Sequence, residues 1–173
     1  MFQFLILAII AVLVSLDQAS KWLAVLFLKN GESVTLIPNV LSLEYVENRG
    51  AAFGILQGQR WLFVVFTGAV MAAILALLLF GRFRKSRLFN ISATLIVAGG
   101  IGNFIDRLIH GYVVDFIKVE FFDFPVFNVA DCFVVIGSVL LLIFFFFFYD
   151  DKKLTRKSDA EDADGNGLSD HSN

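Results

Sequence analysis

The side chains with the chemistry to transfer protons lie in one otherwise apolar stretch, Gly99 to Asp131. Ionisable groups at membrane depth are costly, so their presence in such a stretch predicts a functional site. Two carboxyl groups within hydrogen-bond reach share one proton, so one can activate water while the other polarises a carbonyl group. We expect two aspartates of the stretch to form such a pair and to hydrolyse an amide bond. The polar residues available for this site are Asn103, Asp106, Arg107, Asp115, Asn128 and Asp131.

Asp115 and Asp131 are the first candidates for the catalytic pair. Judged by position alone, an ordinary loop acid at Asp115 and an acid favoured by the helix dipole at Asp131 are equally good explanations. Polar neighbours favour catalysis, because Asn103 and Asp106, like Asn128 and Asp131, are three residues apart and share a helix face. These amides could orient carboxylates or simply hold helices together by hydrogen bonds. Spacing does not rank Asp106 below Asp115.

The remaining reactive residue types favour structural roles. Asp17 and Lys21 are four residues apart and could neutralise each other, which indicates structural support more than catalysis. The glycines at the start of the stretch lack the Lys-Ser/Thr of a phosphate loop, so they predict close helix packing. The single Cys132 excludes an intramolecular disulfide and a cysteine-based zinc site, and two histidines do not favour a histidine metal site. We expect neither a metal ion nor a cofactor.

The composition indicates the elements that must position these residues. Of 173 residues, 58% are hydrophobic and 17% charged, whereas a soluble domain carries about a quarter charged residues. The mean hydropathy is +0.77. The chain is therefore expected to be a mainly α-helical, polytopic membrane protein with a four-helix bundle. The segments long enough to cross a bilayer, which takes roughly 20 residues, are about 2–28, 61–80, 89–110 and 128–149. The first lacks a basic leading region and a small-residue cleavage site, which is typical of a retained span.

The positive charges predict the orientation of the spans. Arginines and lysines crowd residues 82–87 and 152–157, whereas the other two loops hold far fewer for their length. The positive-inside rule then places both termini and the 81–88 loop in the cytoplasm. With this topology, the polar residues of the spans and outer loops converge near the outer interface. The site should therefore lie near the extracytoplasmic face.

The segments outside the spans have distinct patterns. Within about 30–60, Leu41, Leu43 and Tyr45 alternate with polar residues after the turn signal Pro38-Asn39, which predicts a small extracytoplasmic β-hairpin. The segment 111–127 is expected to form a short amphipathic element or a flexible flap over the site. Residues 150–173 are polar and acidic, and are expected to form a disordered cytoplasmic tail.

Four motifs resemble those of one known family. They are LDQASKWLA (Leu16 to Ala24), VENRGAAFGIL (Val46 to Leu56), GGIGNFIDRLIHGYVVDFI (Gly99 to Ile117) and FNVAD (Phe127 to Asp131). Their order and their spacing relative to the four spans resemble those of lipoprotein signal peptidase, signal peptidase II.

The resemblance implies an aspartic endopeptidase of the bacterial cytoplasmic membrane, with residues 1–149 as the membrane-embedded peptidase domain. It would cleave prolipoproteins just before a cysteine that already carries diacylglycerol. The matching motifs place the catalytic aspartates at Asp115 and Asp131. Expected partners are lipid-modified prolipoproteins, membrane lipids and globomycin-type inhibitors; we expect a monomer and no nucleic-acid partner. The supporting residues implied by the motifs are Asp17, Lys21, Asn48, Asn103, Asp106, Arg107 and Asn128.

Two other functions fit some of the same features. A small transporter or proton relay could use Asp17, Asp106 and Asp131, but it predicts polar residues across the full depth of the bilayer. The inner halves of the spans are apolar instead, notably at 75–80 and 140–148. A scaffold without enzymatic activity predicts that Asp115→Asn has no strong effect.

Overall fold

The computed structural model describes residues 2–50 and 59–149. The elements are α1 (Phe2–Leu28), β1 (Val34–Ile37), β2 (Leu41–Asn48), α2 (Arg60–Phe80), α3 (Arg87–Ile109), β3 (Val113–Val119) and α4 (Val129–Ile143). Short irregular helices follow α2 at Arg82–Lys85 and α4 at Phe144–Phe148. The chain divides into two compact units, Met1–Leu141 and Leu142–Asn173. The rest of the VENRGAAFGIL motif after Gly50 and the expected disordered tail lie outside the described residues.

Four helices are long and apolar enough to cross a membrane. In lipid each backbone amide needs a partner within the chain, which a helix supplies. Over half of the apolar stretch of α3 is buried, against 17% for α1 and 6% for α2, so α3 is the central helix. The Ser86 side chain accepts a hydrogen bond from the Phe89 amide and thereby caps the N-terminus of α3. The predicted four-helix membrane architecture is confirmed.

Small residues let the central helix approach its neighbours closely. A Cβ atom added at Gly99 would collide with the Ala130 backbone of α4, and one at Gly102 would collide with the Asp17 carboxylate of α1. Close helix contacts of this kind are made by small residues in membranes. The predicted packing role of the glycine motif is therefore confirmed, and the motif brings three helices together where their polar side chains meet.

A three-stranded antiparallel sheet in the order β1-β2-β3 lies at one end of the helices. The predicted hairpin of β1 and β2 is confirmed, with Asn39 of its turn at a φ of 59°. The sheet packs on α1 through the buried side chains of Ala24, Leu28, Val114 and Phe116.

The third strand was not expected in the segment 111–127. Val113–Val119 pairs with β2, placing Asp115 opposite Val46 and Val113 opposite Asn48. Phe127 forms a bridge with Ile117 on the other side of the strand. This pairing holds the Asp115 backbone between two neighbours, so Asp115 lies on an ordered strand and not on a flap.

Candidate active site

Three charged side chains form a buried network between the C-terminal halves of α1 and α3. Lys21 Nζ lies 2.9 Å from Asp17 Oδ2 and 3.1 Å from Asp106 Oδ2. It also donates to Asn103 Oδ1 at 2.8 Å. Asp17, Lys21 and Asp106 are all buried, and a buried charge is tolerated only when it is paired and hydrogen-bonded. The predicted pairing of Asp17 with Lys21 is confirmed, and Asp106 joins it.

Backbone amides tie the two carboxylates of this network to the rest of the site. The Ala130 amide donates to Asp17 Oδ1 at 2.9 Å, and the Val114 amide donates to Asp106 Oδ2 at 3.1 Å. Ala130 immediately precedes Asp131, and Val114 immediately precedes Asp115. Because the network holds the neighbouring residue of each candidate aspartate, it controls where both candidates stand.

Asp115 lies on β3 and is only 2% exposed. Its Oδ2 accepts a hydrogen bond from Asn48 Nδ2 at 2.9 Å, and its Oδ1 accepts one from Asn128 Nδ2 at 2.6 Å. The pKa of the Asp115 carboxyl is raised to about 6, chiefly by burial and also by the nearby charge of Asp131, against the lowering effect of the Asn48 and Asn128 amides. The raised pKa makes Asp115 a carboxyl that can hold a proton near neutral pH.

Asp131 lies in the first turn of α4. Asn103 Nδ2 donates to its Oδ1 at 2.7 Å, and the Asn128 amide donates to its Oδ2 at 3.1 Å. In return, the Asp131 amide donates to Asn128 Oδ1 at 3.1 Å, which is the reciprocal arrangement of a helix capping box. The partial positive charge of a helix N-terminus favours an ionised carboxylate at this position.

Both carboxyl groups face one cavity of about 540 Å³. We call its polar lining residues, Asn48, Arg107, Asp115 and Asp131, the polar wall, and its remaining lining residues the apolar wall. The Arg107 guanidinium is positioned by hydrogen bonds to the Asn103 and Gly50 carbonyls at 3.4 and 3.3 Å and lies over the Phe63 ring. The apolar wall is lined by Phe124, Pro125, Val126, Phe127, Cys132, Val135 and Ile136.

The structure thus sorts the residues expected at the site into two groups. The buried network holds Asp17, Lys21 and Asp106, while the cavity holds Asn48, Arg107, Asp115 and Asp131. Asn103 joins the groups, because its Oδ1 accepts from Lys21 and its Nδ2 donates to Asp131. Asn128 contacts both aspartates and Asn103, as its Nδ2 also donates to Asn103 Oδ1 at 3.1 Å. Among residues 2–50 and 59–149, no group of three acidic, histidine or cysteine side chains is arranged to hold a metal ion.

Comparison with known proteins agrees with this arrangement. The family model for signal peptidase (SPase) II matches residues 9–147. The chain belongs to this family. It is 45% identical to the lipoprotein signal peptidase of Streptococcus thermophilus over 131 residues, covering 76% of this chain and 85% of the relative. It is 46% identical to that of Geobacillus thermodenitrificans over 133 residues, covering 75% and 82%.

Solved structures support the same fold. A bacterial membrane enzyme determined by the in meso method at 2.3 Å resolution has a TM-score of 0.74 and 35% identity, covering 80% of this chain and 85% of that one. A second, at 1.9 Å resolution, has a TM-score of 0.75 and 33% identity, covering 83% and 94%. The chain is therefore a signal peptidase II family member, a peptidase and a multi-pass protein of the bacterial inner membrane.

Two residues of this signal peptidase II site were missed in the sequence. Gln18 Nε2 donates to Asp106 Oδ1 at 2.9 Å and to the Gly102 carbonyl at 3.2 Å. Arg60, at the start of α2, donates from Nε to the Arg107 carbonyl at 2.7 Å and from Nη2 to the Leu108 carbonyl at 2.5 Å. It thereby satisfies two carbonyls at the C-terminus of α3. The position of Gln18 directly beside Asp17 was the sequence signal that could have identified it. Arg60 belongs to none of the four motifs and is marked only by its position at the start of a span.

Proposed function

We propose that this chain is an aspartic endopeptidase that removes signal peptides from diacylglyceryl-modified prolipoproteins, cleaving on the N-terminal side of the lipidated cysteine. The observation that carries the chemistry is a pair of carboxyl groups on one cavity, the buried Asp115 and the partly buried Asp131. Each is held by amide donors, and among the described residues neither forms an ion pair with a lysine or arginine. Family membership and the curated relatives named lipoprotein signal peptidase support the substrate class.

The two aspartates differ in a way that suggests their roles. Asp115 lies on a strand and retains the shared proton, while the helix dipole favours Asp131, in the first turn of α4, as the ionised partner. Asp131 takes a proton from a water molecule, whose oxygen attacks the scissile carbonyl carbon as Asp115 protonates the carbonyl oxygen. The tetrahedral intermediate then collapses: its hydroxyl proton returns to Asp115, the carbon–nitrogen bond breaks, and Asp131 delivers its proton to the amine of the new N-terminus.

The other site residues position this pair. Asn48, Asn103 and Asn128 hold the carboxyl groups through their amide nitrogens. Arg107, the only cation lining the cavity in the described part of the chain, faces the space where a substrate backbone would lie. Asp17, Lys21 and Asp106 support the site from behind, as positioning residues. A globomycin-type cyclic peptide would bind the same cavity and compete with substrate.

The position in the membrane follows from the charges. We infer that both chain termini and the basic segment around Lys85 and Arg87 face the cytoplasm, according to the positive-inside rule. The cavity, at the opposite ends of the helices, then lies near the extracytoplasmic face, where lipid-modified precursors are anchored. We propose that the chain acts as a monomer.

The decisive experiment is cleavage of a purified, lipid-modified prolipoprotein by the purified chain. Asp115→Asn and Asp131→Asn should each lower kcat/KM by about a thousandfold or more, because general acid–base groups contribute up to about 10⁴-fold each. Asn103→Ala serves as a control that weakens positioning without removing a carboxyl group. Retained activity in either aspartate variant would overturn the pair. Equal cleavage of a precursor whose cysteine carries no lipid would overturn the substrate class.

A further inference from the structure

The loop between β3 and α4 carries a row of aromatic rings that leads out of the cavity. Successive ring centroids of Phe121, Phe122, Phe124 and Phe127 are 4.7, 5.5 and 5.8 Å apart, and all three contacts are edge-to-face. Edge-to-face contacts at these distances are the favoured geometry of aromatic pairs. We call these four rings the phenylalanine row. It is an ordered surface and not a set of independent side chains.

The inner end of the row is anchored beside the candidate dyad. The Phe127 amide and carbonyl both bond to Ile117, at 3.0 and 2.8 Å, and Asn128 follows directly in sequence. Phe124 and Phe127 line the cavity that contains Asp115 and Asp131. The row therefore starts in the lining of the same cavity, and its inner end adjoins Asn128 in sequence.

The outer end of the row is open to the surroundings. Phe121 is 65% exposed, Phe122 50% and Phe124 44%. On the neighbouring face of α4, Val135 and Ile136 also line the cavity and are exposed. A contiguous exposed apolar surface that continues into a binding cavity marks an interaction site. Since α4 crosses the membrane, this surface opens toward lipid.

We propose that the phenylalanine row and the exposed face of α4 bind the acyl chains of the diacylglyceryl group on the substrate cysteine. This inference rests on the proposed function. The scissile bond precedes the lipidated cysteine, so cleavage at the dyad brings the glyceryl group to the cavity and requires a path for two acyl chains. The apolar wall supplies that path, which leaves the polar wall for the peptide backbone.

The row thus makes the length of the acyl chains a determinant of cleavage. A palmitoyl chain reaches along the row from Phe127 to its exposed end, whereas a butyryl chain ends near the cavity. Favourable burial of methylene groups is additive along a chain. Selectivity for long chains should therefore depend on the outer rings of the row, which do not touch the reacting atoms.

The test compares two synthetic prolipoprotein substrates that differ only in their acyl groups, dipalmitoyl or dibutyryl. The measured quantity is the ratio of their kcat/KM values, for the starting protein and for Phe122→Ser. Phe122 lies in the outer half of the row and does not line the cavity. The ratio of palmitoyl to butyryl should fall by about tenfold, as expected for lost contact with about two methylene groups. Phe122→Leu should retain most of it.

Leu36→Ser is the matched control. Leu36 is 51% exposed, as apolar as Phe122, and belongs to β1 at the other edge of the sheet. Its ratio should equal that of the starting protein. An equal fall in Phe122→Ser and Leu36→Ser would mean that the sheet merely rests on the bilayer, and would overturn the proposal. So would an unchanged ratio in Phe122→Ser.

A second measurement does not depend on a variant that folds. A palmitoyl substrate with a photoreactive diazirine in its acyl chain should crosslink to peptides containing residues 121–127 or 135–136. Crosslinks confined to other helices would overturn the proposal. Failure of the proposed function is distinguishable, because the starting protein would then cleave neither substrate.

Discussion

Two pairs of aspartates lie close together where the helices meet, and their surroundings differ in one decisive respect. Asp17 and Asp106 share the ammonium group of Lys21, within 3.1 Å of both. Asp115 and Asp131 receive hydrogen bonds from side-chain and backbone amides. The first pair is an ionic cluster, which we call the lysine cluster; the second is the candidate dyad.

The difference explains why one pair can support structure and the other chemistry. A carboxylate that pairs with a buried ammonium group compensates its charge, so removing either partner leaves an uncompensated charge in the interior. Neutral amide donors hold a carboxyl group in place but favour its charged form less strongly than a neighbouring cation does. The group can therefore still gain and lose a proton. Asn103 joins the two pairs, since Lys21 fixes its oxygen and thereby turns its nitrogen toward Asp131.

Removing the Lys21 cation should disrupt the lysine cluster and cause the largest loss of stability among the variants proposed below. Lys21→Met leaves two carboxylates buried without their partner, which costs about 3–5 kcal/mol of folding free energy. Thermal unfolding in detergent micelles measures it. Lys29→Met, which removes an exposed lysine just after the end of α1, should melt like the starting protein. A Lys21→Met protein that is fully stable but inactive would show that the lysine cluster takes part in catalysis.

The pH profile of cleavage should sharpen the other half of the comparison. Because the pKa of Asp115 is raised to about 6, its proton is retained below that pH and lost above it, so kcat/KM should fall as pH rises through about 6. Asn48→Leu removes a hydrogen bond that favours the ionised form. The pKa of Asp115 then rises, and the falling limb should move to higher pH by about one unit.

Asn30→Leu provides the control for the pH experiment. Asn30 is an exposed amide just after α1, and its loss should leave the profile in place. A falling limb that moves to lower pH in Asn48→Leu would contradict the assignment of the retained proton to Asp115.

The arginine that caps α3 should contribute less than the lysine cluster. Arg60→Gln loses a charged donor to the carbonyls of Arg107 and Leu108, at a helix end where a cation is favoured. We expect a loss of about 1 kcal/mol in unfolding free energy. Chemical unfolding in mild detergent measures it, and Arg60→Lys should recover part of the loss. An effect as large as that of Lys21→Met would place Arg60 in the same cooperative cluster.

An exposed ion pair should give the smallest effect of all. Lys118 Nζ lies 2.6 Å from Glu44 Oε2, and about 40% of each side chain is exposed. Surface pairs contribute less than about 1 kcal/mol, since water screens them. Lys118→Ala should therefore change the melting temperature hardly at all, although its N–O distance is shorter than those of Lys21. A large destabilisation would mean that distance and not burial separates the two kinds of pair.

The elements were predictable to the extent that their signals are local. The four spans follow from apolar length, and the β1–β2 hairpin from alternation around Pro38-Asn39. The strand β3 has no such signal, because Val113–Val119 is buried over its first four residues and does not alternate. It becomes a strand by pairing with β2, which lies about 70 residues earlier and offers its edge only after folding. Arg60 was unpredictable for the same reason, since its partners are backbone carbonyls of another helix.

The order of residues along the chain was enough to establish a membrane peptidase of this family and to propose most of the polar residues of its candidate site. Residue spacing by itself did not separate Asp106 from Asp115, which are nine residues apart and of the same residue type; the resemblance to the family made that choice. The tertiary structure distinguishes their surroundings: α1 brings Lys21 against Asp106, while β2 and the start of α4 bring Asn48 and Asn128 against Asp115. A carboxyl group acquires its chemistry from the charge of its neighbours, and those neighbours come from other parts of the chain.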